Sequence, residues 1–409
     1  MLSAETISIV KSTVPVLQEH GETLTRHFYK RMFSHNPEVK PFFNQAHQQA
    51  GLQQQALAGA ICAYAANIDN LGALGPAVEL IAQKHVALQV KAEHYPIVGE
   101  NLLASITEVL GDGATDEVIQ AWGEAYGVLV DVLVDRESAI YDEIASEPGG
   151  WAGFKHFRIA RKEVESDVIT SFYLEPVDGK ALPHFKPGQY VTVRVPTPDG
   201  STTMRNYSLS DRPGQGHFRI SVKREDSNSP DAPDGYVSTL LHRELEVGDE
   251  IEVAAPCGEF FLQPDLHPER PLVLLAGGVG ITPLISILSD ALQTTPDRPI
   301  VLVHGAINED MQAFRQVIDQ LAEQHSNLRR HYCYDEPAKN GAAREEHMTT
   351  GLVDEALLDP LLPDEDAEYY FCGPRPFMTS IYRQLTARGI PAENLHFEFF
   401  GPRGALEAN

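Results

Sequence analysis

The spacing of apolar residues predicts helices in the first third of the chain. Apolar positions recur there about every 3.6 residues, which is typical of helices with one buried face. Ser3 and Thr115 precede acidic residues and are expected to cap two of these helices. The predicted helices cover residues 4–19, 22–33, 50–67, 77–91, 96–110 and 115–143.

The period changes near residue 146. The residues Glu147-Pro-Gly-Gly-Trp-Ala-Gly153 have the composition of a linker. Short alternating strands broken by Pro and Gly follow, and they predict a small antiparallel barrel. These strands are Val168–Leu174, Tyr190–Val195, Phe218–Val222 and Ile251–Ala254.

From Pro271 onward, continuous apolar runs alternate with helical stretches, as in a parallel sheet covered on both faces. The runs are Leu272–Ala276, Ile300–Val303, Tyr369–Phe371 and Leu395–Phe399. The fold class is therefore multidomain. We expect an all-α domain over 1–146, a linker over 147–156, an antiparallel β-barrel over 152–265 and an α/β parallel-sheet domain over 266–409.

Composition excludes several classes of protein. The 409 residues carry a net charge of −26, which disfavours nucleic acid and anionic membrane as partners. We expect no signal peptide, because the N-terminus Met-Leu-Ser-Ala-Glu-Thr has neither a basic region nor an apolar region behind it. We expect no transmembrane segment, because no apolar run reaches about 18 residues. The four cysteines (62, 257, 333 and 372) lack zinc or CxxC spacing, so we expect reduced thiols in the cytoplasm.

Two polar residues lie on helix faces that should be buried. Ile81 and Leu88 bracket His85 at helical spacing, and Glu137 interrupts the apolar stripe of the helix over 115–143. A buried carboxylate is costly unless it is paired. This pattern predicts a ligand and a residue that orients it. The plainer interpretation of a single such histidine is a satisfied core residue.

The order of residues before His85 resembles the globin family. Tyr29 lies on the second helix, Phe43 follows the Asn36-Pro37 turn, and Gln53 opens the next helix. The resemblance implies that His85 ligates the iron of one haem b and that Phe43 packs against the porphyrin. It also implies that Tyr29 and Gln53 donate hydrogen bonds to O2.

Globins that carry a reductase have a further pattern, which Lys84, Tyr95 and Glu137 match. The resemblance implies that Tyr95 and Glu137 hydrogen-bond near the His85 imidazole and make it a stronger electron donor. It also places Lys84 beside the cofactors. The alternatives are that Tyr95 caps a helix and that Glu137 pairs with Arg136 or Lys84.

The middle domain contains a pattern similar to the flavin-binding signature of the ferredoxin-reductase family. Pro187-Gly-Gln-Tyr190 is followed by Arg205-Asn206-Tyr207-Ser208 and by Gly235-Tyr-Val-Ser238. An Arg neutralises a pyrophosphate, a Tyr lies against the isoalloxazine, and a Ser hydrogen-bonds its reactive edge. The resemblance implies one FAD, with Gly235 and Ser238 as a second phosphate contact. An Arg and a Tyr on a strand are otherwise surface and packing residues.

The last domain opens with a glycine-rich turn after a strand, Gly277-Gly278-Val279-Gly280-Ile281-Thr282-Pro283. Pro283 replaces the third glycine of GxGxxG, which favours the nicotinamide domain of the same reductase family. There Cys372 lies near the nicotinamide. A closing segment covers the flavin, and it corresponds to Glu398, Phe399, Phe400, Gly401 and Pro402. Some family members have Cys in place of Phe399.

Together these motifs resemble the flavohaemoglobin family from end to end. The resemblance implies a nitric oxide dioxygenase that uses O2, NO and NADH or NADPH: 2 NO + 2 O2 + NAD(P)H → 2 nitrate + NAD(P)+ + H+. A flavin is needed because a nicotinamide delivers two electrons together and haem iron accepts one. Ile307 stands where an Arg could bind a 2′-phosphate, and Glu309-Asp310 would repel it, so NADH is favoured.

Two other classes of protein fit parts of the chain. A ferredoxin- or flavin-type electron-transfer reductase accounts for 152–409, and an oxygen-binding or sensing globin accounts for 1–146. Neither accounts for both. We expect a monomer with no obligatory protein partner, because all three domains of the expected reaction lie in one chain.

Overall fold

The computed structural model describes residues 2–43, 48, 51–227, 234–263, 267–336 and 346–401. These residues form two compact units. The first contains the residues up to Phe154 together with Thr192–Arg205 and Gly401. The second contains Lys155–Val191 and the described residues from Asn206 to Phe400.

The helical part follows the predicted periodicity, with one different boundary. Its helices are α1 (Ala4–Ser12), α2 (Val14–His35), α3 (Leu52–Ala66), α4 (Gly75–Ala87), α5 (Tyr95–Leu110) and α6 (Asp116–Ser146), with a 3-10 segment over Pro37–Phe42.

Both predicted caps are confirmed. The Ser3 hydroxyl accepts from Thr6 N at 3.0 Å, and the Thr115 hydroxyl accepts from Val118 N at 3.3 Å. The predicted helices over 4–19 and 22–33 are wrong in their boundary, because the break lies at Thr13. Pro15 is in the first turn of α2, where a backbone N–H has no helical partner.

The second region is an antiparallel domain, as predicted. The strands are β1 (Phe154–Val164), β2 (Ile169–Pro176), β3 (Tyr190–Pro196), β4 (Thr202–Ser208), β5 (Phe218–Lys223) and β6 (Glu250–Ala254), with helix α7 over Tyr236–Arg243. The sheet has the order β4-β3-β6-β1-β2-β5, and the pairs β1–β2 and β2–β5 are antiparallel. Leu209, just after β4, bridges to Ile220 of β5, so the two edges of the sheet approach each other.

The last region is a parallel sheet. Its strands are β7 (Leu272–Gly277), β8 (Ile300–Ala306), β9 (Leu328–Tyr334), β10 (Met348–Thr350), β11 (Glu368–Cys372) and β12 (Leu395–Glu398). They lie in the order β10-β9-β8-β7-β11-β12. Leu272 and Leu274 of β7 face one apolar core, and Val273 and Leu275 face the other, so both faces are buried. The helices are α8 (Ile281–Thr294), α9 (Arg315–Gln324), α10 (Glu355–Leu358) and α11 (Arg375–Ala387).

In the part of the chain that the structure describes, no helix is both long and apolar enough to cross a membrane.

Candidate functional site

Three polar side chains from three helices meet in the helical domain. His85 lies near the end of α4, Tyr95 begins α5, and Glu137 lies on α6. Glu137 Oε1 is 2.7 Å from His85 Nδ1 and accepts from the Tyr95 hydroxyl at 2.5 Å. Glu137 is only 3% exposed, so this pairing stabilises a buried carboxylate. The alternative pairing with Arg136 or Lys84 is not found: Arg136 binds Glu79 at 2.6 Å, and Lys84 Nζ donates to the Gly401 carbonyl at 3.2 Å.

The hydrogen bonds fix the chemistry of the His85 ring. A carboxylate can only accept, so His85 Nδ1 carries the hydrogen and Nε2 keeps its lone pair. Among the described residues, Nε2 has no hydrogen-bond partner. Burial raises the pKa of Tyr95, and its hydrogen bond to Glu137 raises it further, so its hydroxyl stays protonated. The arrangement is that of a metal-binding imidazole oriented by a carboxylate.

A second tyrosine, Tyr126 on α6, supports this cluster. The Tyr126 hydroxyl donates to the backbone carbonyl of Tyr95 at 2.7 Å. A Cβ at Gly99 would lie 2.6 Å from the Tyr126 ring, so only glycine allows this approach between α5 and α6. Tyr126 therefore positions Tyr95. No signal in the sequence separates it from a core aromatic.

Tyr29 lies in an aromatic cluster of the same domain. Its ring centroid is 5.6 Å from that of Phe43 and 5.8 Å from that of Phe33. Burial raises the pKa of Tyr29, so the hydroxyl is a permanent donor. Within the described residues it has no hydrogen-bond partner. A buried, unused donor suits a polar ligand.

Gln53 was expected to donate to O2, and in the structure one end of its amide is already hydrogen-bonded within the protein. It lies in the first turn of α3, half-buried, and its Oε1 accepts from Gln48 Nε2 at 2.5 Å. The structure gives no hydrogen bond between Gln53 and Tyr29. Gln48, which no sequence pattern indicated, thus holds the carbonyl end of the amide and leaves its NH2 end to donate.

These residues fit a haem. The donor set is one imidazole nitrogen with its lone pair free, together with aromatic side chains and a spare hydroxyl donor. Among the described residues, no group of three or more His, Cys, Asp or Glu side chains comes together to bind a bare metal ion. Haem iron needs only one such protein ligand, because the porphyrin supplies four.

The predicted flavin motif lies on β4. Ser208 is buried, Arg205 and Tyr207 are half-buried, and Asn206 is exposed. Arg205 Nη1 donates to the Met204 carbonyl at 2.6 Å and to Thr203 Oγ1 at 3.1 Å, which holds the guanidinium close to its own strand. The cation is thus placed by local contacts before any phosphate binds.

Tyr190, at the start of β3, gives the strongest indication of a ligand in the second unit. Its hydroxyl is buried and has no hydrogen-bond partner among the described residues. Burial raises its pKa, and Cys257, Glu398 and Glu259 add to the effect. A Cβ at Gly258 would lie 2.7 Å from the ring, so the glycine leaves room for it. An orphaned buried hydroxyl fits a polar group such as the flavin ring.

The second predicted phosphate contact lies at the start of α7. Gly235 precedes the helix, and a Cβ there would lie 2.8 Å from the Glu225 Cβ. The Ser238 hydroxyl donates to the Gly235 carbonyl at 2.9 Å and accepts from Glu225 N at 3.2 Å. Ser238 therefore stabilises the turn, and the first amides of the helix are the groups suited to phosphate.

The glycine-rich turn joins β7 to α8. A Cβ at Gly280 would lie 2.1 Å from the Cys372 carbonyl oxygen, and one at Gly277 would lie 2.8 Å from the Phe377 ring. The Thr282 hydroxyl donates to the Val279 carbonyl at 3.0 Å, and Ile281 begins the helix, fully buried. Backbone from two strands therefore packs closely here, and the helix amides are suited to bind a pyrophosphate.

Cys372 and Glu398 are opposite each other on the paired strands β11 and β12. Full burial raises the pKa of the Cys372 thiol well above its usual range, so it is not a nucleophile. Phe399 is half-buried against Phe397, and Phe400 is 46% exposed. The predicted closing residue Pro402 lies outside the described residues.

Comparison with known protein families gives three consecutive matches. Globin matches residues 26–133, Oxidoreductase FAD-binding domain matches 156–262, and Oxidoreductase NAD-binding domain matches 274–383. The order agrees with the three predicted regions of the chain.

Whole-length relatives are also found. The chain is 49% identical over 408 residues to the Flavohemoprotein of Rhodopirellula baltica, covering 100% of both chains. It is 45% identical over 407 residues to the Flavohemoprotein of Bacillus subtilis, covering 99% of each.

Solved structures are similar as well. A flavohemoglobin from Malassezia yamatoensis with bound FAD and heme has a TM-score of 0.84 and 24% identity, covering 98% of this chain and 100% of that one, and so shows the fold. The Flavohem-like FAD/NAD binding domain of nitric oxide dioxygenase from Vibrio cholerae has a TM-score of 0.55 and 34% identity. It covers 61% of this chain and 99% of its own length.

Proposed function

Because the chain belongs to the flavohaemoprotein family, an NAD(P)H-dependent oxidoreductase family with haem and FAD as cofactors, we propose that it is a nitric oxide dioxygenase. The reaction is the oxidation of NO by O2 to nitrate, with NADH as the electron source. The proposal depends most on one observation, the His85–Glu137–Tyr95 cluster. When bound, haem supplies the oxygen-binding iron, and FAD accepts an electron pair and releases the electrons singly.

The cluster favours oxygen chemistry over reversible oxygen storage. The Glu137 carboxylate, 2.7 Å from Nδ1, draws the Nδ1 proton and increases electron density at Nε2. An imidazole with more electron density at Nε2 would stabilise the oxidised state of a haem iron that it holds. Tyr95 holds the same carboxylate oxygen, which keeps the acceptor in place. We assign His85 as the iron ligand, and Glu137 and Tyr95 as the residues that tune it.

The Tyr29 hydroxyl is the proposed hydrogen-bond donor to O2. It is buried, protonated and unused by the described residues. The edge-to-face contact with Phe43 holds the ring in place. Gln53, held at its carbonyl by Gln48, offers its NH2 group as a second donor. A charge-assisted hydrogen bond of this kind favours retention of an electron-rich O2.

The reductase half supplies electrons from NADH. We assign the amides of the turn over 277–282 to the dinucleotide pyrophosphate, with Cys372 and Glu398 beside the nicotinamide and the flavin. Arg205 is assigned to the FAD pyrophosphate, and the Tyr190 hydroxyl to the flavin ring. These assignments use each group's charge and hydrogen-bonding capacity.

The loop after β8 supports NADH over NADPH. Arg315, the cation nearest in sequence, is held by Glu309 at 2.7 Å and lies 3.7 Å from Asp319. Ile307 offers no charge, and Asn308 donates to Glu336 at 2.8 Å. A 2′-phosphate would meet carboxylates and a cation that is already paired.

We further propose that the enzyme works as a cytoplasmic monomer. All four cysteines are free thiols, which suits a reducing compartment. The electron donor, flavin and haem functions lie in one chain, so the reaction needs no protein partner.

The direct test is steady-state stoichiometry. Purified holoenzyme with NADH, O2 and NO should form nitrate with two NO consumed per NADH. His85→Ala should abolish nitrate formation and the globin-type haem spectrum while FAD stays bound, and replacement of the exposed His35 by Ala should change neither. NADH oxidation with no nitrate would favour an electron-transfer reductase, and O2 binding that NADH cannot renew would favour a simple globin.

A further inference from the structure

A fully buried histidine lies directly behind the glycine-rich turn. His304, on β8, pairs in register with Ala276 on β7, one residue before the turn begins. Its Nε2 is 3.0 Å from the carbonyl oxygen of Gly278. Its Nδ1 is 3.4 Å from Gln312 Nε2, and Gln312 is itself buried.

The direction of each hydrogen bond follows from chemistry. A carbonyl oxygen can only accept, so His304 Nε2 carries a hydrogen. Burial lowers the pKa of His304 to about 4, so near neutral pH the ring is uncharged and Nδ1 accepts from Gln312. Gln312 Oε1 in turn accepts from the Tyr334 hydroxyl. This chain of hydrogen bonds fixes the ring in one tautomer and one orientation.

We propose that His304 is a positioning residue for the nicotinamide dinucleotide, because it holds the Gly278 carbonyl inside the protein. The peptide between Gly278 and Val279 is planar and trans, so its N–H points opposite to its C=O. With the oxygen turned toward His304, the Val279 N–H points away from the core. It thereby joins the first amides of α8, which are the natural ligands of a pyrophosphate.

The Gly278 peptide needs such a hold because packing does not supply one. Gly280 and Gly277 are held by Cys372 and Phe377, as described above. Gly278 has a φ of +52°, and a Cβ there would meet no atom within 4 Å. Its carbonyl also accepts from the Ile281 N–H in the following turn, a local bond that a flexible glycine could lose. His304 is the contact from outside the turn that fixes this peptide.

The role can be tested with three variants of the full-length holoenzyme. His304→Phe removes the donor, and His304→Gln restores an N–H at a similar distance from the backbone. His331→Phe is the matched control, since His331 is a buried histidine on the adjacent strand β9 that contacts Thr349 at 3.1 Å, not the turn. The readouts are NAD+ binding to the oxidised enzyme and anaerobic flavin reduction over a range of NADH concentrations.

We expect His304→Phe to raise the NAD+ Kd and the half-saturating NADH concentration about two- to tenfold, as for the loss of one hydrogen bond. The limiting rate of flavin reduction and the FAD and haem spectra should stay the same. His304→Gln should restore affinity to within about twofold, and His331→Phe should match wild type.

Unchanged affinity in His304→Phe would overturn the proposal, and so would an equal loss of affinity in His331→Phe, which would indicate a general effect on the sheet. If His304→Phe does not fold, Gln312→Leu keeps the question open to test, because it removes the group that orients the ring. Its NAD+ Kd must then rise, and an unchanged Kd refutes the role of His304.

The inference depends on the proposed function only in the use of NADH. A failure of NO dioxygenation would appear as missing nitrate with normal NADH binding.

Discussion

Single hydrogen bonds carry most of the chemistry proposed for the helical domain. The Tyr29 hydroxyl is a buried donor with no partner among the described residues, and Glu137 is a buried acceptor shared by His85 and Tyr95. Each can be changed by one atom or one group without altering the packing of the helices. A single substitution at either residue therefore tests one hydrogen bond at a time.

Tyr29→Phe removes the hydroxyl and keeps the ring. A hydrogen bond to a charged acceptor is worth roughly 1.5–3 kcal/mol, so O2 should dissociate about ten- to a hundredfold faster. Rapid mixing of the O2-loaded enzyme with CO measures this rate. Tyr64→Phe is the control, since the buried Tyr64 hydroxyl donates to the Ala125 backbone at 2.6 Å and should affect stability alone. Equal O2 release in wild type and Tyr29→Phe would make Tyr29 a packing residue.

Glu137→Gln keeps the shape of the side chain and removes its charge. With a weaker pull on the His85 proton, the imidazole becomes a poorer donor and the reduced iron is relatively favoured. We expect the haem midpoint potential to rise on the order of 60 mV, the equivalent of tenfold in a one-electron equilibrium. Glu143→Gln, which alters an exposed partner of Arg136, should leave the potential unchanged. A shift of equal size in both variants would contradict the specific role of Glu137.

At the scale of elements, periodicity predicted most helices and the strands β7, β8, β11 and β12 of the parallel sheet, because burial on one face or on both leaves a clear pattern. It did not predict β9 and β10 of that sheet. It placed the break between the first two helices at residues 20–21, whereas the structure has this break at Thr13. Helix α2 continues through Gly21 to His35, and even a Cβ at Gly21 would lie at an ordinary contact distance, 3.4 Å, from the Ala58 Cβ of α3. Strands β1 and β4 of the antiparallel sheet were not predicted. Strand β1 is central in its sheet, but only Phe157 and Ile159 are buried, and most of its other residues are polar.

Some residues of the candidate site could likewise be predicted from a sequence pattern, and others could not. His85 and Glu137 could be predicted to act together because polar residues on an apolar stripe need partners. Tyr95 could be added to them only through the resemblance to globins that carry a reductase. His304 and Tyr126 could not, since each depends on a contact between distant elements that leaves no local pattern. Gln48 was missed because a polar residue before a helix is unremarkable in sequence.

The loop after β8 carries the prediction for coenzyme choice. Glu309→Gln removes a carboxylate and releases Arg315 from its 2.7 Å ion pair. The ratio of kcat/KM for NADPH to that for NADH should rise on the order of fivefold. Initial rates of flavin reduction with each coenzyme measure it. Glu323→Gln, on the exposed side of α9, removes the same charge and should leave the ratio unchanged. No change in Glu309→Gln would exclude this loop from coenzyme selection.

In the whole molecule, loss of the flavin should stop NADH-driven turnover and leave the haem function intact. Arg205→Ala removes the cation assigned to the FAD pyrophosphate. FAD should dissociate while haem stays bound, so chemically reduced protein with O2 should consume one equivalent of NO. NADH-driven turnover should stop, because nothing is left to divide the electron pair. An NO electrode follows both phases. Sustained NADH-driven NO removal by FAD-free protein would show a different electron route.

In the proposed reaction, electrons pass from NADH through FAD to a haem at which NO is oxidised. The most direct measurement adds NADH to the oxidised holoenzyme without oxygen, records the flavin and haem spectra, and then admits O2 followed by NO while nitrate is measured. We expect the flavin to bleach first, the haem to be reduced next, and nitrate to form as NO is added. A haem that stays oxidised after the flavin is reduced, or NO consumption without nitrate, would contradict the proposed reaction.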